Sequence, residues 1–272
     1  MTTGYAGDNA AFWDGLTGDE GEHARQHEYG RAMWAAEPNW GDWSVPESEV
    51  RLLPDVTGKD VVELGCGTAY FSGWLARRGA RPVAVDASRR QLDLARALQA
   101  EFGVDFPLLQ ADAEQVPRPD AAFDLALSEY GASSWCDPDR WLPEAARLLR
   151  PGGLLIFLIV SPFLTVCTPR DGGPAGDRLL HDYFGLHRLR MAEWGTTEFQ
   201  LTYGGWVRAL RRSGFAVEGL TELQPPPGAR SPWPSVDRDW AARWPSECVW
   251  TARKAEPLAR DGAPLASADH QQ

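Results

Sequence analysis

The chain has 272 residues, 43% hydrophobic and 24% charged, a folded globular composition with room for one large α/β domain and decorations. Its 27 basic and 38 acidic side chains give a formal net charge of −11, which repels a phosphate backbone and argues against a nucleic-acid substrate. Cys66, Cys136, Cys167 and Cys248 are scattered with no C-x-x-C pair, and the histidines add no ligand spacing, so neither a disulfide framework nor a metal site is expected.

No basic-then-apolar leader opens the sequence, and the longest strongly apolar run, 154–160, is too short to cross a bilayer. A cytoplasmic location without a membrane partner is therefore expected. Residues 1–56 lack a strand-like segment and read as a helical cap ending at Pro46 and Pro54. Trp13, Trp34, Trp40 and Trp43 crowd into it, four of the chain's 13 tryptophans. Such rings serve either as core filling or as a cover over a ligand.

From Asp60 the pattern becomes strand and helix in alternation. Val61-Val62-Glu63-Leu64 is a short apolar run that stops at a glycine cluster. Tyr70, Phe71, Trp74 and Leu75 follow at helical spacing, closed by Gly79, and 82–86 is a second strand. Ser88 with Gln91 has capping-box spacing, ahead of a helix striped by Leu92, Ala95, Leu98 and Phe102 and ended by Gly103. Strands are expected at 106–110 and 123–128. Asp137-Pro138 opens a helix that Arg150-Pro151-Gly152-Gly153 stops, and 154–160 is a strand apolar enough to be buried on both faces. Residues 161–201, rich in proline and glycine, break the rhythm as an insertion near the site. A helix at 203–213 and strands at 215–223 and 248–252 close the domain. The tail at 254–272 is polar and expected to be flexible. The alternation predicts a Rossmann-like, doubly wound, seven-stranded and mostly parallel sheet with helices on both faces. The domain would span 57–253 and bind ligand at the carboxyl ends of its strands.

The glycine cluster is Glu63-Leu64-Gly65-Cys66-Gly67-Thr68. A second acid, Asp86, ends the next strand 19 residues after Gly67 (86 − 67), the spacing at which a carboxylate meets ribose hydroxyls in dinucleotide folds. A nicotinamide dehydrogenase would want a third glycine where Tyr70 stands. It would also place a pyrophosphate close to Glu63, an unfavourable like-charge contact. Two carboxylates beside a glycine turn suit a phosphate-free, cationic nucleoside instead.

Over residues 59–160 the chain resembles the class I S-adenosylmethionine (SAM)-dependent methyltransferases. The E-x-G-x-G motif matches at Glu63, Gly65 and Gly67, the acid after the second strand at Asp86, and the acid after the third strand at Asp112 in Ala111-Asp112-Ala113. The Arg147-Leu148-Leu149-Arg150-Pro151-Gly152-Gly153 phrase also matches. Residues 201–217 and Trp244-Pro245-Ser246-Glu247 look like uncharacterised bacterial members. The resemblance implies SAM as cofactor, S-adenosylhomocysteine (SAH) as product and a small-molecule methyl acceptor. It implies that Asp86 holds the ribose, Asp112 the adenine amino group with Ala113 beside it, and Ser128 the methionine moiety, with Gly65 and Gly67 allowing close backbone approach.

On the acceptor side, Ser128-Glu129-Tyr130-Gly131 lacks the Asn/Asp-Pro-Pro-aromatic pattern of nucleic-acid amine methyltransferases. A lone glutamate there gives no metal set. Position alone marks Glu129, Tyr130 and His181 as candidates for chemistry, and Tyr130, Trp135, Tyr183, Trp40 and Trp43 as candidates for contact. For His181 the rival reading is a surface residue, and for the tryptophans it is packing. Aminopropyl transfer, which would want more acids here, and a nicotinamide oxidoreductase are the alternatives.

Overall fold

The computed structural model of the chain describes residues 4–18, 20–169, 173–191, 194–231 and 236–256. Helices α1 (Tyr5–Gly18) and α2 (Glu20–Ala35) come first. A short antiparallel pair follows, β1 (Asn39–Trp40) and β2 (Val45–Pro46), then a helical turn, α3 (Glu47–Val50). The alternating part runs β3 (Asp60–Leu64), α4 (Tyr70–Arg77), β4 (Arg81–Asp86), α5 (Arg89–Phe102), β5 (Leu108–Gln110), β6 (Phe123–Glu129), α6 (Ala132–Trp135), α7 (Pro138–Leu148) and β7 (Leu149–Val160). It ends with α8 (Pro162–Cys167), the hairpin β8 (Arg188–Met191) and β9 (Thr196–Phe199), α9 (Tyr203–Arg212), β10 (Phe215–Leu223), α10 (Arg238–Ala241) and β11 (Glu247–Lys254).

Seven strands form one sheet in the order β10-β11-β7-β6-β3-β4-β5. β11 is antiparallel to both β10 and β7, and every other neighbouring pair is parallel. From β3 the chain winds outward through β4 and β5, then returns to β6 on the other side. That reversal makes the crevice between the ends of β3 and β6 the switch point where open α/β sheets take ligands. Leu155 to Ile159 on β7 have no exposed surface, as expected for a central strand covered on both faces.

Local signals set the boundaries. Ser88 accepts from Gln91 N at 3.2 Å and caps α5, which Gly103 ends in the left-handed region. The Gln91 side chain does not complete the reciprocal box. Its amide donates to Thr17 Oγ1 and Gln26 Oε1, tying α5 to the N-terminal helices. Asp137 caps α7 by accepting from Asp139 N, with Pro138 at the first helical position.

Three expectations are corrected. The first 56 residues do contain strand, because the turn at residues 41–44 lets β1 and β2 pair. The strand expected at 106–110 begins only at Leu108, since Phe106 turns inward to stack on Trp34 and its carbonyl is held by Gln99 Nε2. The stop at 150–153 lies inside β7, where Arg150 ion-pairs with Asp60 and Asp124 and Gly152 takes a positive φ. In the 161–201 insertion, α8 and the β8–β9 hairpin are regular. Of the expected flexible tail, residues 257–272 lie outside the described residues.

Candidate active site

β3 and β4 deliver the two acids to the glycine turn. Asp86, at the end of β4, is half-buried. Its Oδ2 accepts from Gly67 N at 2.8 Å and its Oδ1 from Ser88 N at 2.8 Å. Burial raises its pKa, and the two amides oppose that shift. A carboxylate fixed by two backbone donors is oriented before any ligand arrives. Gly65 and Gly67 take φ of +73° and +52°, a region that side chains resist. The two glycines differ in purpose. A Cβ on Gly65 would sit 2.5 Å from the Gly131 Cα, so its missing side chain admits the β6–α6 turn, not a ligand. A Cβ on Gly67 would meet only Gln91 Oε1 at 3.7 Å, leaving that backbone approachable.

Glu63 is buried at the end of β3. Its Oε2 accepts from Ser72 N at 2.9 Å and from Ser72 Oγ at 2.5 Å, which fastens the first turn of α4. Burial pushes its pKa up to about 8, and Glu129 and Asp86 push the same way. Ser128 requires a correction. It is fully buried, donates to Leu64 O and accepts from Ser133 N, so its hydroxyl is engaged in bracing the wall between β3, β6 and α6. Cys66 is buried with its thiol pKa raised, which leaves it a packing residue.

Asp112 follows β5, half-buried, its Oδ1 accepting from Glu114 N at 2.9 Å. It edges a groove of about 600 Å³ shared with Ala111, Val116, Arg118 and Arg147. Ala113 beside it is buried. Above this edge lies α1. The Asn9 amide exchanges hydrogen bonds with Thr197 and donates to Trp135 O, and Asp14 accepts from Ser88 Oγ at 2.6 Å. Trp135 meets Trp13 edge-on at 5.3 Å and stacks near Phe12 at 6.2 Å, so it faces the underside of α1.

The tryptophans expected as a cover are core. Trp40 has no exposed surface, packs on Phe71 at 4.8 Å and donates to Glu47 Oε2. Trp43 is 3% exposed and donates to Ser246 Oγ. Both side chains are buried and both N–H groups have partners, so of the two readings packing accounts for them. His181 is tied to the end of α8, with its Nε2 2.8 Å from Thr168 O. The Tyr183 hydroxyl accepts from Tyr203 N at the start of α9. Both brace the insertion.

Glu129 and Tyr130 meet residues that sequence reading passed over. Tyr70 donates to Glu129, and Tyr29 of α2 stands edge-on to Tyr70 at 6.4 Å. Tyr130, held at φ +51°, donates to Glu247 of β11, whose Oε1 also accepts from Asp42 N at 2.7 Å. The Gly41 amide supports the charge on Glu129. Burial pushes Glu129 and Asp42 each up to about 7 and Glu247 further, and their mutual repulsion adds to the shifts of Asp42 and Glu247. Tyr70 occupies the place where a dinucleotide site would have its third glycine, and Glu247 ends the Trp-Pro-Ser-Glu stretch. Those were the available signals. Among the described residues, one group of metal-ligand type occurs, Asp137, Asp139 and His187, and there Arg212 already pairs with Asp139 at 2.7 Å.

The chain is similar in sequence and fold to known proteins. Residues 62–157 match a methyltransferase-domain family. An uncharacterised methyltransferase of Mycobacterium bovis is 33% identical over 175 residues, 61% of this chain and 69% of that protein. A fatty-acid O-methyltransferase of Mycolicibacterium smegmatis is 29% identical over 192 residues, covering 70% of this chain but only 61% of the relative's length. Among solved structures, a SAM-dependent methyltransferase from Mesorhizobium loti superposes with a TM-score of 0.59 at 27% identity, covering 76% of this chain and 95% of the other. The chain belongs to the class I SAM-dependent methyltransferases.

Proposed function

We propose that this protein methylates a small-molecule acceptor, with SAM as donor. When bound, SAM supplies a methyl group on a sulfonium, a leaving group that needs no activation. The observation that carries the reading is the pair of acids flanking an approachable glycine turn: Asp86 held by Gly67 N and Ser88 N, and Glu63 behind them. In their setting Asp86 serves the ribose diol, Asp112 and the Ala113 backbone serve the adenine, and the Gly67 backbone lies alongside. Asp86 and Glu129 supply negative potential for a cationic ligand, while Glu63, pushed up to about 8 by burial, holds its proton near neutral pH and serves as the anchor of Ser72. The same acids disfavour a pyrophosphate, which weighs against a nicotinamide cofactor.

The protein's task is then alignment and exclusion of water. Orientation of this type contributes on the order of 7–11 kcal/mol to lowering a bimolecular barrier. α1 lies over the carboxyl edge, pinned by Asn9 and Asp14, and would shield the reacting atoms. The acidic surface and the absence of an Asn/Asp-Pro-Pro-aromatic run favour a small acceptor over nucleic acid. A cytoplasmic setting belongs to the same proposal. Among the described residues no helix is long and apolar enough to cross a membrane.

Calorimetry tests the reading. SAM and SAH are expected to bind at one site per chain, and NAD and NADP are not. Binding of NAD in preference to SAH would overturn it.

A further inference from the structure

The carboxyl edge of the sheet divides into two halves. Asp86, Asp112 and the glycine turn serve the β3-β4-β5 half. Glu129, Tyr130 and Glu247 occupy the β6-β7-β11 half, joined by Asp42 from the turn between β1 and β2. The second half contains three carboxylates and no compensating cation. Among the described residues none of Asp42, Glu129 and Glu247 ion-pairs with Lys, Arg or His, and the charges bearing on them are each other's.

Two further observations point to a missing partner. Glu247 is 1% exposed, and its Oε2 has no hydrogen bond although Oε1 has two. A buried oxygen left in this state costs about 1–3 kcal/mol. The Asp42 carboxylate also has no hydrogen bond of its own among the described residues, and Asp42, Glu129, Tyr29, Tyr70 and Tyr130 each keep some accessible surface. The group is therefore an acidic cluster at the edge of the sheet that is only partly closed off from solvent, with the sealed acid Glu247 behind it.

We propose that this cluster, formed by Asp42, Glu129 and Glu247 with the rings of Tyr29, Tyr70 and Tyr130, binds the methyl acceptor as an amine in its ammonium form. The inference rests on the methyl-transfer reading and names its substrate class. An ammonium has three donors for the unpaired Asp42 carboxylate and for Glu129, with Glu247 behind them, and the phenol rings add cation–π attraction. A carboxylate acceptor would meet three acids and be repelled. A neutral alcohol would leave most of the acidity uncompensated. Gly41 lets the turn between β1 and β2 close directly on Glu247, because a Cβ there would lie 2.2 Å from Oε1.

The acids also provide the proton balance. The bound ammonium gives one proton to a carboxylate of the cluster, and Glu129 and Asp42, each held near 7, can accept it. The freed nitrogen lone pair then forms the N–C bond as the C–S bond breaks, its electron pair remaining on sulfur. The product leaves as an N-methylammonium, and the thioether is neutral.

The test uses the full chain saturated with SAH. Primary amines graded from ethylamine to phenethylamine and octylamine are titrated by calorimetry, each against the alcohol and carboxylate of the same skeleton. The expected result is that at least one amine binds and exceeds its matched carboxylate by about tenfold or more. Asp42→Asn and Glu247→Gln should each remove about tenfold of the amine affinity and leave SAH affinity unchanged. Asp42 is less buried than Glu247 and its carboxylate has no hydrogen bond to lose among the described residues, so D42N keeps the test alive if E247Q does not fold. Equal binding of amine and carboxylate, or binding of no amine to the SAH complex, overturns the inference. Equal loss of SAH affinity in D42N also overturns it, by assigning the cluster to the cofactor's own amino group. Failure of SAH to bind at the outset overturns the methyl-transfer reading instead, and is seen before any amine is added.

Discussion

Replacing Asp86 by alanine probes the cofactor half most directly. In the free protein its carboxylate already satisfies the Gly67 and Ser88 amides, each at 2.8 Å, and every oxygen keeps a lone pair for a ribose hydroxyl. Hydrogen bonds to a charged group contribute about 1.5–3 kcal/mol each. Two of them set an upper range of about 3–6 kcal/mol, and water that hydrates the diol in the variant returns part of it. An effect near 3 kcal/mol corresponds to about a hundredfold weaker SAH binding. Alanine also frees the two amides, so the glycine turn loses its anchor. A diol-free control separates that contribution, because any loss shared by a 2′,3′-dideoxy analogue of SAH reports the turn, and the excess loss of SAH itself reports the diol. The assay is calorimetric titration of both ligands, with circular dichroism to show that the variant folds. A folded Asp86→Ala protein with unchanged SAH affinity would refute the assignment of the ribose to this strand end.

Two other outcomes follow from the same contacts. Glu63 has a folded-state pKa of about 8 against 4.5 for an ordinary glutamate, so the folded chain holds a proton that the unfolded chain releases. Its favourable contribution is complete below the ordinary value and is lost as pH rises through about 8, so Glu63→Gln should be increasingly more stable than wild type from pH 6 to pH 9. Thermal melts across that range measure this, and parallel curves for the two proteins would contradict it. Ser128→Ala strands Ser133 N and Leu64 O in a fully buried wall and should cost about 1–3 kcal/mol in denaturant unfolding, while SAH affinity in the folded fraction stays near wild type. A selective loss of SAH binding without a loss of stability would instead return Ser128 to the ligand.

Most of the scaffold was readable because local chemistry and tertiary packing agree along it. The run at 154–160 could be a buried strand only if both its faces were covered, and β7 is. Ser88, Asp137 and Gly103 mark helix ends through caps that depend on a few neighbouring residues. Where local and distant demands diverge, reading by segment fails. Gln91 has a capping partner three residues away, yet its amide serves Thr17 and Gln26 from another part of the chain. Phe106 has strand character, yet a better partner exists in Trp34, which α2 brings from more than 70 residues earlier (106 − 34). The tryptophans show the same limit. Their abundance announced burial but not whether ligand or protein would fill the other side.

The proposed acceptor half was legible only at Glu129 and Tyr130, which position alone marked, and the rest was not, for a physical reason. Asp42, Tyr70, Glu129 and Glu247 come from four separate stretches, and each has an ordinary role when taken alone. Only the fold sets them side by side, and only then does their shared protonation become a property of the group. The cofactor half is different, because its logic is local: a strand, a glycine turn and an acid one crossover later are contiguous in sequence. A fold that binds one cofactor and many acceptors should keep its cofactor chemistry in such contiguous motifs. Its acceptor chemistry would then lie in long-range contacts such as Asp42–Glu247 and Tyr130–Glu247, which can change without disturbing the glycine turn. In this chain those contacts gather three acids, Asp42, Glu129 and Glu247, with no cation paired to them among the described residues, and under the amine proposal it is this group, more than the glycine motif, that would select the acceptor.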